Sequence, residues 1–318
     1  MPPIVPVTAV IKFTFVPIIS IGGWNVRLET IGLAAVVLTC LIVAALIARR
    51  TPVDLWLPAD DRRAEDDEPN HLRADDLLYI AVGSLPGAVV GGRLGYALLH
   101  LDYYGANPSA LLDVGQGSLQ LSLAIVGGTV TAALLAGLAG APVGRWMHAL
   151  ILPLLLAIAG GKAVLVLGGD GQGMPFDGSW ATAYLGAGPW GSLAPEVPSH
   201  PAQVYEALAA TAVVLVMMTL LAAGAFPRRG GGAFLAGIAL WADARAVVAT
   251  TWRDPLVAGP LRMDQVISIA IGLGALLLLG AMALKGSGRR GHEVPGGPGV
   301  APEGPVVEWP DPEKRPRL

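Results

Sequence analysis

The chain has 318 residues, of which 53% are hydrophobic and only 14% are charged, and its mean hydropathy is +0.59. This composition is too apolar and too poor in charge for an ordinary soluble domain of that length. The formal net charge of −3 says little, because in a membrane protein the placement of Lys and Arg carries the information. The single cysteine, Cys40, excludes an intrachain disulfide and lies in an apolar run, which favours a buried small side chain over a nucleophile.

The N-terminal segment, residues 1–28, is apolar but is interrupted by several prolines. It has no basic cluster at its start and no small-residue cleavage site, so its pattern is not that of a signal peptide. We expect an interfacial arm on the outer side of the membrane.

Seven apolar runs approach the roughly 20 residues that a helix needs to cross a bilayer. They are residues 29–48, 77–100, 119–140, 146–167, 204–225, 231–251 and 264–284. The sequence therefore predicts an all-α integral membrane protein whose transmembrane domain covers residues 29–284. The polar stretch 49–76 and the Gly/Pro-rich, charged tail 285–318 are expected to be exposed to solvent, and the tail to be disordered.

The distribution of basic residues predicts the orientation, because short connections rich in Lys and Arg stay in the cytoplasm. Alternate connections and the tail carry most of them: Arg49, Arg50, Arg62, Arg63, Arg73, Arg145, Arg228, Arg229, Lys285, Arg289, Arg290, Lys314, Arg315 and Arg317. The opposite side has Lys12, Arg27, Arg253 and Arg262. We expect the N-terminus outside and the C-terminus in the cytoplasm. The two long outer connections, residues 101–118 and 168–203, contain no Lys or Arg, and the second is long enough to be functional in its own right.

Basic side chains inside the predicted spans are costly, by roughly 2.5–3.5 kcal/mol each, so each needs a partner or a function. Arg93 lies in GGRLGY, where glycines would let a lipid headgroup or another helix approach it. Its guanidinium could clamp a phosphate through a bidentate fork, or it could pair with a carboxylate such as Glu206 or Asp243.

Arg245 and Asp243 are two residues apart, so on a helix they point in different directions and should not pair. Arg245 is a second candidate for binding an anionic headgroup, and a structural role in an ion pair is an equally good interpretation. For Asp243 we favour a structural role as the partner of Arg93 or Lys162. Lys162 follows two glycines near the outer end of its span, where it could reach up to the interface or contact a headgroup.

The motif HPAQVYE enters the fifth span with His200, Gln203, Tyr205 and Glu206. Its proline suits the first turn of a helix, and the preceding Ser199 could cap that helix. Tyrosine is common at membrane interfaces, but a glutamate inside the membrane edge needs a cation or a proton, so Glu206 indicates either an ion pair or catalysis.

Other chemistries find no support in the sequence. Zinc-spaced Cys/His clusters, phosphate-cradling GxxxxGK[ST] loops and GxSxG elbows do not occur. The basic segments are short and mixed with acidic residues, so nothing indicates nucleic-acid binding. No metal and no cofactor are expected.

Four motifs occur in a fixed order: GAVVGGRLGY, GGDGQG, HPAQVYE and GAFLAGIALWADAR. Together they resemble the prolipoprotein diacylglyceryl transferase family over roughly residues 29–284. The resemblance implies a multi-pass protein of the bacterial inner membrane that transfers diacylglyceryl from phosphatidylglycerol to the thiol of a lipobox cysteine on a preprolipoprotein, releasing glycerol phosphate. Its expected partners are phosphatidylglycerol, the lipobox peptide and membrane lipids.

The same resemblance assigns roles to residues. Four would be catalytic: Arg93, Arg245, Glu206 and His200. Seven would bind substrate: Gly92, Tyr96, Lys162, Asp170, Gly173, Gln203 and Tyr205.

The chain also departs from the family pattern. Ser122 or a neighbour stands where the family has a histidine, and Lys162 and Leu165 replace an arginine and a polar residue. Ile31 and Trp241 replace tyrosines. These changes leave open a non-catalytic relative that binds lipid or lipoprotein. A small-solute transporter is a third possibility, although the two matching halves typical of transporters are not found.

Overall fold

The computed structural model describes residues 11–14, 18–52, 71–113, 118–185, 197–228 and 230–290. Within these ranges the chain forms α1 (Leu28–Arg49), α2 (Ala74–Leu99), α3 (Leu101–Ala106), α4 (Leu121–Leu138), α5 (Val143–Gly168), α6 (Ala202–Ala222), α7 (Gly232–Val248) and α8 (Met263–Arg290). Two 3₁₀ turns follow α3 and α7, at Pro108–Leu112 and Ala249–Thr251. Seven of these helices, all except α3, are long and apolar enough to cross a membrane. The predicted seven-span helical architecture is confirmed.

The helix ends differ from the predicted spans by a few residues, for local reasons. The second span begins at Ala74, three residues earlier than expected, because Asp75 and Asp76 belong to the first turn of α2, where the helix dipole favours negative charge. The last helix continues to Arg290 and so includes the first residues of the tail that was expected to be disordered from 285. Residues 291–318 of that tail, and residues 53–70 of the polar stretch, lie outside the described residues.

Helices α2 and α4 cross at very short range because α2 carries glycine at every fourth position: Gly83, Gly87, Gly91 and Gly95. A Cβ at Gly87 would overlap the carbonyl oxygen of Gly127, and one at Gly91 would overlap that of Leu123. Small residues at this spacing let two helix backbones approach within a membrane. The glycines around Arg93 therefore serve helix packing.

Helix α7 packs on α5, α6 and α8 and is the most enclosed span: 61% of its apolar window is buried, compared with 11% for α1. The core between α5, α6 and α7 contains Ile151, Leu155, Met217 and Trp241. Helix α1 packs on α5 through glycines of both helices. Because α7 is so enclosed, a charged residue on its inner side must find its partners within the protein.

In the part of the chain that the structure describes, six short strands form three two-stranded sheets, which the all-α prediction did not include. β2 (Ile18–Ile21) and β3 (Trp24–Arg27) form a hairpin, and β5 (Leu256–Ala258) pairs with β6 (Leu261–Arg262). β1 (Ile11–Thr14) runs parallel to β4 (Thr182–Leu185), so part of the N-terminal arm lies along the connection between α5 and α6. The hairpin turn uses Gly22 and Gly23 at φ of 58° and 86°, a region that favours glycine.

All three sheets lie at the same ends of the helices. We call this side the loop-rich face and define it by the described parts of residues 11–27, 100–120, 169–201 and 249–262. Its segments contact one another: Met174 N donates to Thr251 O, and Arg27 reaches Asp170. On the charge distribution described above, this face is predicted to be the outer one.

Candidate functional site

Three basic and acidic residues singled out in the sequence meet directly beneath the loop-rich face. Lys162 Nζ of α5 lies 2.9 Å from Glu206 Oε2 of α6, and the other oxygen of the same carboxylate, Oε1, accepts from Arg245 Nη1 of α7. Arg245 Nη2 lies 2.8 Å from Asp264 Oδ2 in the first turn of α8. The four side chains form one continuous line of alternating charge, which we call the ion chain.

Gln120 extends the ion chain to two more helices. Its side-chain amide donates to Asp264 Oδ1, while its Oε1 accepts from Leu123 N at 2.7 Å and thereby caps α4. Its backbone N–H donates to Gly92 O of α2 at 2.9 Å. Six spanning helices are thus joined through this one chain of contacts.

The ion chain is almost removed from solvent. The exposed fractions of the side chains are 12% for Lys162, 1% for Glu206, 6% for Arg245 and 3% for Asp264. Isolated charges in so low a dielectric would be very costly, but the two cations and two carboxylates cancel. Among the residues that the structure describes, the buried Nε–H of Arg245 has no hydrogen-bond acceptor. One donor of this guanidinium therefore remains open.

The sequence suggested that Lys162 could reach up to the membrane interface. This prediction is wrong, because the Lys162 ammonium pairs with Glu206 and does not reach up to solvent. The Nζ atom also lies 5.0 Å from the centre of the Trp252 ring, which encloses the cation from the loop-rich face. Gln203, another predicted site residue, is 1% exposed and donates its backbone N–H to Gly171 O at 3.1 Å. These contacts bring Gln203 to the same end of α6 as Glu206.

His200 and Tyr205 belong to an aromatic group at the surface of the loop-rich face. The His200 ring stacks on Phe176 at 3.9 Å, and its Nδ1 lies 3.4 Å from the Tyr205 hydroxyl. That hydroxyl accepts from Trp180 Nε1 at 2.7 Å. Burial lowers the pKa of His200 below its usual value, so the imidazole is neutral at neutral pH.

Asp170 is held by the N-terminal arm. Arg27 Nη2 lies 3.3 Å from Asp170 Oδ2 and 3.0 Å from Glu29 Oε2 at the start of α1. Burial raises the pKa of Asp170, and the neighbouring arginine partly opposes that shift. Gly168 leaves space for the glutamate, since a Cβ there would overlap Glu29 Oε2.

Arg93 does not pair with either carboxylate suggested by the sequence. Its Nε donates to Leu111 O at 3.0 Å, and its Nη2 donates to Ala110 O at 2.9 Å and to Asp113 O. The expected partner Glu206 is instead bound to Lys162 and Arg245. The guanidinium therefore holds the connection between α3 and α4 through its backbone carbonyls.

Tyr96 and Tyr104 lie near Arg93 at the same end of α2. The Tyr96 ring is 4.3 Å from that of His100, and the Arg93 guanidinium carbon is 5.8 Å from the centre of the Tyr104 ring. Gly92, predicted to bind substrate, packs closely on α4, where a Cβ would come within 3.0 Å of the Leu119 Cβ.

Two further structural predictions are wrong. Asp243 is exposed and faces Gly272 of α8, whereas Arg93 and Lys162 have the partners given above. Ser199 does not cap α6, because its hydroxyl donates to Val197 O and the position before the helix is Pro201. The prediction that Arg245 and Asp243 do not pair is confirmed by the contacts of Arg245.

Several residues of the site carry no clear signal in the sequence. Asp264 and Gln120 begin apolar helices, where an acidic or amide side chain is usually explained by the helix terminus alone. Arg253 donates its Nε to Gly173 O at 2.6 Å, and a Cβ at Gly173 would overlap Thr251 O, so this glycine permits a close approach of two loops. Asp254 lies beside them: burial, followed by the charge of Asp264, raises its pKa from 3.8 to about 6.

A family model described as prolipoprotein diacylglyceryl transferase matches residues 18–281 of the chain. The chain belongs to the prolipoprotein diacylglyceryl transferase family. It is 30% identical over 230 residues to the phosphatidylglycerol–prolipoprotein diacylglyceryl transferase of Geobacter sulfurreducens, covering 68% of this chain and 82% of that protein. It is 26% identical over 272 residues to the enzyme of the same name from Nostoc, covering 82% and 88% respectively, and 29% identical over 287 residues to that of Allorhizobium ampelinum, covering 84% and 91%.

Membership of the diacylglyceryl transferase family confirms the resemblance inferred from the four motifs. The matched region contains all seven candidate spans up to residue 281 and every member of the ion chain. This prolipoprotein diacylglyceryl transferase relative is therefore a multi-pass membrane protein.

Proposed function

We propose that the protein transfers the diacylglyceryl group of phosphatidylglycerol to the cysteine thiol of a lipobox peptide. The reaction would take place in a bacterial inner membrane, beneath the loop-rich face of the protein. The observation that carries the proposal is the ion chain, in which Lys162 and Arg245 are brought to one carboxylate, Glu206, just beneath that face. Family membership supplies the reaction class, and the predicted outward orientation would bring the site to the side on which prolipoproteins are modified.

The charge of the leaving group explains the need for cations. When the thiolate sulfur attacks the glyceryl carbon that bears the phosphate, a carbon–sulfur bond forms and the carbon–oxygen bond to phosphate breaks. The departing glycerol phosphate then carries one negative charge more than the phosphodiester did. Cations that are already in position before the reaction begins stabilise such a developing charge strongly in a site that excludes water. Arg245, with its open Nε–H, and Lys162 are the candidates for this role.

The thiol must lose a proton before it attacks, and His200 is the candidate acceptor. Its lowered pKa keeps the imidazole neutral and so able to accept. In the tautomer that donates from Nδ1 to the Tyr205 hydroxyl, Nε2 is left as the acceptor for the thiol proton. Trp180 and Tyr205 would orient the ring. Glu206 is a positioning residue in this scheme, because both its oxygens are already bound to cations.

The lipid tails would need an apolar place near the headgroup. A groove of about 590 Å³ lies between α2, α3 and α4, lined mainly by apolar side chains that include Leu94, Leu98, Leu101 and Leu123. Arg93 fixes the connection that forms one wall of this groove through its bonds to Leu111 O and Ala110 O. Arg93 would thus act by shaping the lipid site.

The test uses purified protein reconstituted with phosphatidylglycerol and a synthetic lipobox peptide. Mass spectrometry should detect a peptide heavier by one diacylglyceryl group, and the peptide in which serine replaces cysteine should remain unmodified. Phosphatidylcholine in place of phosphatidylglycerol should give no product. Absence of product under conditions in which the Geobacter enzyme is active would reject the proposal.

A second candidate is a non-catalytic relative that binds the lipid or the lipoprotein. The observation favouring it is Ser122, which stands at or near the family's histidine position, is fully buried, and has a hydroxyl without a hydrogen-bond partner among the described residues. This candidate predicts that phosphatidylglycerol binds and that Arg245→Ala weakens the binding, while no modified peptide appears.

A further inference from the structure

The two carboxylates of the ion chain occupy different positions. Glu206 lies between the cations and contacts both Lys162 and Arg245. Asp264 stands at the far end and, of the two cations, contacts Arg245. Loss of the Glu206 charge would leave two cations facing each other, whereas loss of the Asp264 charge would leave the Lys162–Glu206–Arg245 arrangement in place.

Asp264 is itself held firmly opposite the guanidinium. The Gln120 amide donates to its Oδ1, and Gln120 is fixed by its contacts to Leu123 N and Gly92 O. Asp264 also lies in the first turn of α8, where the helix dipole favours a negative charge. The carboxylate is therefore kept next to Arg245 by neighbouring groups as well as by the ion pair.

This arrangement limits what the site can offer an anion. Arg245 Nη1 is engaged by Glu206 and Nη2 by Asp264, and the formal charges of the four groups cancel. In a medium of low dielectric, the net charge of a buried cluster dominates its attraction for a further charge. A phosphodiester that approaches the resting site meets a neutral cluster in which both terminal nitrogens of Arg245 are engaged and the Nε–H is buried without an acceptor among the described residues.

We propose that Asp264 is the internal counter-ion of Arg245 and determines how strongly the site binds an anionic phosphodiester. In the resting protein the Asp264 carboxylate occupies Arg245 Nη2, and a bound phosphate competes with it for this donor. The inference rests on the proposed function, because it assigns Arg245 to the phosphate of the lipid headgroup. Asp264 is a specificity-determining residue of that site.

The test measures binding of fluorescently labelled phosphatidylglycerol to the purified full-length protein in detergent micelles, with labelled phosphatidylcholine as the zwitterionic probe. Asp264→Asn should bind phosphatidylglycerol about tenfold more tightly, which corresponds to about 1.4 kcal/mol, with no comparable gain for phosphatidylcholine. The matched control is Asp243→Asn, which removes an exposed carboxylate from the neighbouring helix α7 and should change neither affinity.

A charge-balanced series separates a charge effect from a local rearrangement. Lys162→Met should weaken binding, and the double variant Lys162→Met/Asp264→Asn, in which the cluster is neutral again, should return towards the wild-type affinity. Free glycerol phosphate serves as a competitor. If it displaces the labelled lipid, the site recognises the phosphate alone; if it does not, the site recognises the intact lipid. The effect of Asp264→Asn is expected in both cases.

Unchanged or weaker phosphatidylglycerol binding by folded Asp264→Asn overturns this inference and leaves the proposed function standing. Equal binding of the two lipids by both wild type and variant overturns the headgroup site, and the inference with it. If Asp264→Asn does not yield folded protein, the charge-balanced series decides. Lys162→Met/Asp264→Asn should then bind phosphatidylglycerol more tightly than Lys162→Met, and equal or lower affinity overturns the inference.

Discussion

Glu206→Gln is the substitution with the clearest structural consequence. The side chain is 1% exposed and both its carboxylate oxygens bind cations, so the amide would leave Lys162 and Arg245 close together without the charge that separates them. Removing one partner of a buried ion pair costs roughly 3–5 kcal/mol. At an unfolding entropy of about 2.1 cal/mol/K per residue, this lowers the thermal midpoint of a chain of 318 residues by roughly 4–8 °C.

The assay is thermal unfolding of purified protein in detergent, followed by the fluorescence of the native tryptophans. Asp243→Asn, an exposed carboxylate on α7, is the matched control and should unfold near the wild-type midpoint. Adding Lys162→Met to Glu206→Gln should recover part of the loss, because one of the two cations facing each other is then gone. A midpoint for Glu206→Gln equal to that of the control would refute the view that the ion chain stabilises the bundle.

Three further results are expected. Gly91→Ala should abolish stable folding, because its Cβ would overlap a backbone carbonyl of α4, whereas Gly105→Ala, which has open space around it, should accumulate normally; equal yields would contradict the close helix crossing. Arg93→Ala should accelerate amide hydrogen exchange in the connection it holds, and exchange unchanged there would show that its carbonyl contacts are dispensable. The pKa of Asp254 rises from 3.8 to about 6 on folding, so wild-type stability should fall as pH increases from about 4 through 6, and Asp254→Asn should remove this decline. An identical pH profile for the Asp254→Asn protein would be inconsistent with a buried, raised-pKa carboxyl.

The spans were predictable because each is a predominantly apolar run, and a lipid solvent imposes a simple length requirement. The six strands were not, because each has only two to four residues and the β1–β4 pair joins segments about 170 positions apart in the sequence. Such pairing depends on the bundle bringing distant loops together, which local patterns do not encode.

The ion chain was predictable in part. Lys162, Glu206 and Arg245 were recognised individually because charge inside a span is costly, but their mutual pairing depends on which helices are neighbours. Asp264 escaped notice because an acidic residue in the first turn of a helix needs no other explanation. For Arg93 the sequence suggested a carboxylate or a phosphate, yet its donors are taken by backbone carbonyls, which carry no signature in the sequence.

Complementation of a bacterial strain depleted of its own diacylglyceryl transferase tests the central claim most directly. We expect the wild-type gene to restore growth and the processing of a reporter lipoprotein, and Arg245→Ala, expressed at the same level in the membrane, to restore neither. Failure of the wild-type protein to support lipoprotein processing, although it is folded and inserted, would contradict the assignment of transferase activity to the ion chain.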